Sequence, residues 1–314
     1  MLNRRILRVK VMQALYAFFQ SPNTDMVKAQ KGLMLSIERV YELYLYYLIL
    51  PVALAEVAEV QMEEAKNKVL PNPEDLNPNR KFVDSYVIEA LRNNQALNLQ
   101  LSKYKVSWSS ETDFLRKLWK KVKQSDLYRD FLLAEDNAAD HRKFIERFFK
   151  QFILDNEDIY SSFQEKSIYW DFEDSDYTLN MVIRYIGKIK AVDRYKALPN
   201  IYKEPEEDLN FVKSLFVKII ANNEALSKKI DEKTKNWEMD RIAVLDVLLM
   251  KMAVIEFTEF SSIPVKVSMN EYIELSKFFS SPKSSLFING VLDKILADLQ
   301  SENKVKKTGR GLLQ

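Results

Sequence analysis

The sequence predicts an all-α protein. Three observations carry that expectation: apolar residues recur at helical spacing from end to end, β-type alternation is scarce, and side chains of good helix propensity fill the positions between. With 314 residues at 47% hydrophobic composition, the chain can bury a substantial core in two structural units or one enlarged one. The periodicity places helices at 3–20, 27–68 with a break near Pro51, 80–103, 110–134, 139–168, 174–197, 205–233, 238–260, 265–280 and 284–300.

The first helix, RRILRVKVMQALYAFFQ, has two faces. Leu7, Val11, Ala14, Leu15 and Phe18 share one arc and predict a face packed on a core. Arg5, Met12 and Tyr16 share another, flanked by Arg8 and Phe19, and mix cations with rings. Lys10 and Gln13 interrupt the apolar run and no small-residue cleavage site follows, so the segment is expected to stay in the fold rather than act as a secretion signal. In the second helix, LYLYYLILPVALA (43–55) is bounded by Glu42 and Glu56 and broken by Pro51, which reads as too short to span a bilayer. Tyr41, Tyr44, Tyr46 and Tyr47 could stack on bases, but dense aromatics on a helix read first as core. VLPNPEDLNPN reads as a linker (69–79), because each proline disfavours helix at the residue before it.

Further along, RKLWKKVKQ (116–124) is a basic amphipathic turn, either an ordinary solvated face or a surface for RNA or an acidic partner. The one histidine, His141, starts an apolar-periodic run and reads as an ordinary helix-start residue. The segments ending at Trp170 and Trp237 align without a gap at an offset of 67 residues, with Phe144 on Phe211 and Asn156 on Asn223. A shared pattern by chance and a duplication are both open, and both imply helix hairpins with buried faces. In the last third, Asp240 is a plausible cap for a helix burying Ile242, Leu245, Leu249, Met252 and Ile255. Ser268 with Glu271 has capping-box spacing for the next helix, while Pro264 could start it one turn earlier. SSPKSS is a short loop whose hydroxyls and lysine sit beside a helix start, where a phosphate could bind. Gly290 inside the final helix suggests a close helix crossing. The polar, basic end, 301–314, reads as a frayed tail with weak phosphate contact.

Composition excludes several classes. Lys plus Arg number 47 against 45 Asp plus Glu, so any polyanion binding must come from local clusters. No cysteine occurs, which excludes thiol catalysis and disulfides and fits a reducing, cytoplasmic setting. With one histidine and no cysteine, a zinc site built from those ligands is impossible, and five glycines provide no phosphate cradle or dinucleotide fingerprint. No cofactor or metal is expected. Adjacent carboxylates such as Glu63 with Glu64, or Glu206 with Glu207, do not face across a cleft, so no enzyme is expected.

WEMDRIAVLDVLLMKMAVIEF, IPVKVSMNEYIELSKFF and LFINGVLDKIL, in that order, together with RRILRVKVMQALYAFFQ, resemble the signatures of the NusB family of bacterial transcription antitermination factors. The resemblance covers about 2–20 and 205–300. It implies a NusB-like helical bundle formed by 1–20 plus 205–300, with 21–204 as a large helical insertion whose role it does not explain. It further implies a non-catalytic RNA-binding protein that recognises the BoxA element of nascent ribosomal RNA together with ribosomal protein NusE, acting on elongating RNA polymerase. Carried onto this chain, the RNA contacts fall on Arg4, Arg5, Arg8 and Tyr16, and on Lys283, Ser284 and Phe287. An acidic position facing NusE falls on Asp246. Lys283 stands where the family often has an acidic residue. On physics alone, the three arginines read more simply as a solvated helix start, and the resemblance reverses that preference. Two alternatives remain: a protein-interaction scaffold without RNA binding, and the accessory domain of an RNA methyltransferase system. The latter would need a cofactor loop and catalytic cysteine that this chain lacks.

Overall fold

The computed structural model describes residues 1–22, 25–154, 156–190, 197–234 and 242–312. Among them are fifteen α-helices and no strand, apart from one isolated bridge between Leu2 and Tyr202. The chain divides into two units: Met1–Ile37 with Ile201–Gln314, and Glu38–Asn200.

The first unit holds α1 (Arg4–Gln20), the start of α2 (Met26–Lys66), α11 (Pro205–Ala221), α12 (Asn223–Thr234), α13 (Val244–Glu259), α14 (Val265–Phe279) and α15 (Ser284–Ser301). Asn3 caps α1 by accepting from the Ile6 amide at 3.0 Å. Pro205 opens α11 at a position where its missing N–H costs nothing. In α13, Leu249, Met252 and Ile255 are buried as expected and Leu245 is half-buried; Ile242, also half-buried, precedes the helix. Asp240 and Trp237 lie outside the described residues. Pro264 rather than Ser268 precedes α14. Ser268 sits inside the helix with its hydroxyl committed to Glu256 Oε1 at 2.7 Å, so it caps nothing.

Two expectations are corrected in this unit. Gly290 is exposed and an added Cβ would meet nothing within 4 Å, so no helix crosses there. Gly290→Ala should therefore raise stability by about 0.5–1 kcal/mol through lost unfolded-state entropy; a lower melting temperature would contradict the open environment. The tail is not frayed as far as Leu312. Lys307 Nζ donates to the Glu256 and Phe260 carbonyls at 3.1 and 2.9 Å, and the Thr308 amide donates to the Ser261 carbonyl at 3.0 Å. A Cβ on Gly311 would lie 1.9 Å from that Ser261 oxygen, so only glycine permits this approach.

The second unit holds the rest of α2, then α3 (Pro73–Leu76), α4 (Tyr86–Arg92), α5 (Gln95–Tyr104), α6 (Thr112–Lys123), α7 (Asp126–Leu133), α8 (Ala138–Phe148), α9 (Glu157–Lys166) and α10 (Phe172–Ile186). Helix α2 does not break at Pro51. The proline cannot bond back to Tyr47, yet Tyr44, Tyr47, Leu48, Leu50 and Leu54 are all buried around it, and Trp108 Nε1 donates to the Tyr46 carbonyl at 2.9 Å. Packing thus holds the helix where local preference would end it. Continuous through Pro51, α2 is long and apolar enough to cross a membrane, but 72% of its apolar window is buried inside the protein.

The tyrosines are core. Tyr46 meets the rings of Trp108, Phe163 and Trp170 at 5.7–5.8 Å. His141 is buried, with Nδ1 2.8 Å from Ser85 Oγ and Nε2 2.6 Å from Asp136 Oδ1. The expected long helices are cut where Asn or Ser caps the next one: Asn94 before α5, Ser125 before α7 and Asn156 before α9. These short side chains compete for backbone donors and favour helix starts over interiors. Residues 69–79 lie within this unit, where Asn72 and Asp75 form a capping box on α3. Both segments of the 67-residue echo are helix pairs, α8 with α9 and α11 with α12.

Candidate nucleic-acid interface

The arginines that open α1 have three different environments. Arg8 is buried, at 3% exposure, and bonds Glu256 through Nε at 3.0 Å and Nη2 at 2.5 Å. Glu271 lies 3.6 Å from its third nitrogen, and its guanidinium packs over the rings of Phe211 and Tyr272. Glu256 also accepts from Tyr272 and Ser268 at 2.7 Å each, which satisfies both carboxylate oxygens. Burial alone would lower the Arg8 pKa and raise that of Glu256; each charge more than offsets the burial of the other, so Arg8 is raised and Glu256 lowered. Arg8 is therefore a structural residue tying α1 to α13 and α14, and it cannot reach RNA.

Arg4 is half-buried and divided between Asp208 at 3.2 Å and Glu207 at 3.1 Å, over the Phe211 ring. These carboxylates neutralise cations that would otherwise oppose the helix dipole. Arg5 differs from both. It forms no ion pair with a described residue, and its guanidinium lies 5.4 Å from the centroid of Phe278, whose side chain is 65% exposed. Phe278 is the penultimate residue of α14, two residues before the SSPKSS loop, so Arg5 sits at the end of α14 that leads into that loop.

In the loop, Lys283 is exposed at the N-cap of α15. Ser284 is buried and donates to Asp246 Oδ2 at 2.7 Å, with the Ser281 and Ser280 hydroxyls at 2.8 and 3.0 Å. The hydroxyl cluster thus faces inward onto a carboxylate, which corrects the expectation that Ser284 receives a phosphate. Asp246 is 4% exposed, so it is not a surface for a partner; it holds the loop that carries Lys283 from beneath. Its Oδ1 accepts no hydrogen bond from the described residues. Phe287 is half-buried, one turn into α15, and the neighbouring Leu286 is 80% exposed.

Tyr16 is 41% exposed, but Met12, one turn before it on the same stripe, is buried. Helix α1 is enclosed by α11, α13 and α14 through most of its first three turns, so the ring-and-cation stripe is interrupted rather than continuous. The structure brings Arg5 onto Phe278, two residues before the Lys283 loop; Tyr16 lies three turns further along α1. Phe278 was missed by sequence reasoning. Its signal was available, since it falls off the α14 face formed by Ser268, Met269, Tyr272 and Leu275. No group of His, Cys, Asp and Glu that could hold a metal occurs among the described residues.

The sequence profile of the NusB family matches residues 186–297. A transcription antitermination protein NusB from Salinibacter ruber is 39% identical over 125 residues, covering 38% of this chain and 78% of the relative. NusB proteins from Chloroherpeton thalassium and Geotalea daltonii are 36% and 39% identical, over 49% and 70% of their lengths. No solved structure matches the chain significantly. Similarity at this level, spanning more than two thirds of a relative and centred on the helices that surround Arg5 and the Lys283 loop, leads to one assignment: the chain belongs to the NusB family.

Proposed function

We propose that this protein acts in transcription antitermination by binding a BoxA-like single-stranded RNA together with ribosomal protein NusE, without catalysing a reaction, and so joins the RNA polymerase elongation complex in the cytoplasm. One observation carries the RNA assignment: Arg5, which forms no ion pair among the described residues and acts on Glu274 only through its field while Glu274 bonds Lys277, lies over an exposed aromatic ring two residues before the Lys283 loop. Single-stranded RNA is held by cations along its phosphates and by rings or guanidinium planes on its unpaired bases, and this corner supplies both. The RNA-contacting set is Arg5, Phe278 and Lys283, extended by Arg4 and Phe287 at its edges and by Tyr16 where a strand follows α1. Arg8, Ser284 and Asp246 shape the surface from below.

The reading is tested with a short BoxA-like RNA by fluorescence anisotropy. Arg5→Ala should weaken binding roughly fivefold to tenfold and reduce the salt slope by about 0.7, while Phe278→Ala should cost about 1–3 kcal/mol if a base stacks there. Addition of NusE should tighten binding of the unaltered chain. Wild-type affinity in both variants would refute the assignment.

A further inference from the structure

Helix α6 of the second unit has a face that the fold does not use. Leu115, Leu118, Trp119 and Val122 are buried, and Trp119 stacks on Phe82 at 4.9 Å. On the opposite side Lys117, Lys120 and Lys121 are all exposed, and none forms an ion pair or hydrogen bond with a described residue. The neighbouring cations are engaged otherwise. Arg116 meets Glu64 at 3.3 Å, and the field of Lys123 reaches Asp75, whose carboxyl is lowered chiefly by its hydrogen bond from Lys68.

Stability does not explain this stripe. Lysines three and four residues apart on a helix are neighbours and repel, so the pairs Lys117–Lys120 and Lys117–Lys121 work against the helix they occupy. The dipole at the C-terminal end of α6 favours Lys120 and Lys121 but not Lys117, which lies mid-helix. Elsewhere in the unit, exposed cations are ion-paired with carboxylates on their own helix or turn, as in Lys150–Glu146, Arg129–Asp126 and Arg80–Asp84, whereas here Asp113, one turn before Lys117, forms no ion pair with it. The three ammonium groups span about 6 Å of helix axis. That is a compact cationic edge without an exposed ring of its own, suited to a chain of phosphates rather than to unstacked bases.

We propose that the outer face of α6, through Lys117, Lys120 and Lys121, is a second RNA-binding surface that grips the phosphate backbone independently of base sequence. It rests on the RNA-binding reading above and assigns the inserted segment a role in it: the Arg5 corner selects a short element, and α6 adds affinity for longer transcript.

The test compares two probes on the full-length protein, the short BoxA-like RNA and a uniform oligouridine of about 40 nucleotides, long enough to engage more than one site. The variants are Lys117→Glu and the triple replacement of Lys117, Lys120 and Lys121 by Gln. Lys117→Glu gains a favourable spacing to Lys121 and loses one to Asp113, so its net effect on the helix should be small, and circular dichroism at the assay temperature separates a lost signal from unfolding. On the long probe the triple variant should bind roughly tenfold more weakly, with the log–log salt slope reduced by about 2. Asp113, exposed one turn before Lys117, provides an opposite control, since Asp113→Asn should tighten that binding. On the short probe all these variants should match wild type. Unchanged affinity and slope on the long probe would overturn the proposal, including in favour of an acidic protein as the partner of this face. Loss of short-probe binding only in Arg5→Ala reports on the first site alone, so failure of one reading is distinguishable from failure of the other.

Discussion

Glu256→Ala should destabilise the first unit by about 3–5 kcal/mol, because it removes both carboxylate hydrogen bonds from the buried Arg8 guanidinium and leaves it only the more distant Glu271 at 3.6 Å. The Ser268 and Tyr272 hydroxyls lose their acceptor at the same time. Urea unfolding would show the loss as a lower midpoint; a change below about 1 kcal/mol would mean that the pair is solvated in solution. The double variant Arg8→Met, Glu256→Leu should recover part of the loss, since the buried Arg8–Glu256 pair is gone, but the two stranded hydroxyls and the Glu271 Oε2 that faced Arg8 keep it below wild type. The pair also sets an acid limit. Glu256 is held below its ordinary value of 4.5 against the opposing effect of burial. Its contribution is therefore complete above about 4.5 and is lost as pH falls through the lowered folded-state value. A pH titration of stability should show this loss in wild type and not in the double variant.

Trp119→Ala should have an effect of similar size in the second unit, about 3–5 kcal/mol. The indole is buried between Phe82, stacked at 4.9 Å, and Tyr128, edge-on at 5.3 Å, and Phe82 in turn meets Phe144 at 5.7 Å. Removing it opens a void at the point where α6, α7 and α8 share aromatic contacts, and the stacked rings themselves cannot close over it without leaving one another. Hydrogen exchange should accelerate most in those three helices. A shift within about 0.5 kcal/mol would show that the void collapses freely, contrary to the ring packing described.

Helical periodicity made the fold class legible because each amphipathic face repeats within a few residues. What periodicity could not show was determined by distant residues. Arg8 reads as a surface cation until Glu256 is known to face it, and those positions are 248 apart. Pro51 reads as a helix end until the surrounding tyrosines and Trp108 are seen to enclose it. Asp246 reads as an exposed acid near the start of α13, and only its hydrogen bond to Ser284 reveals a support for the loop. The Arg5 corner was half legible: the cation was visible near the chain start, but the Phe278 ring it lies against is most of the chain away in sequence. The lysines of α6 were visible as a basic turn, and the structure adds that they are unpaired and opposite the buried stripe.

The first unit joins α1 to segments made more than 180 residues later, and this sets an order of assembly on the ribosome. Residues 38–200 are complete early and can fold while synthesis continues. Helix α1 must wait for Glu256 to emerge 248 residues after Arg8, roughly 12–50 s at bacterial-to-eukaryotic elongation rates of about 5–20 residues per second. Throughout that interval its apolar side chains and its unneutralised arginine are accessible to chaperones, to nascent neighbours and to the polyanionic surface of the ribosome itself.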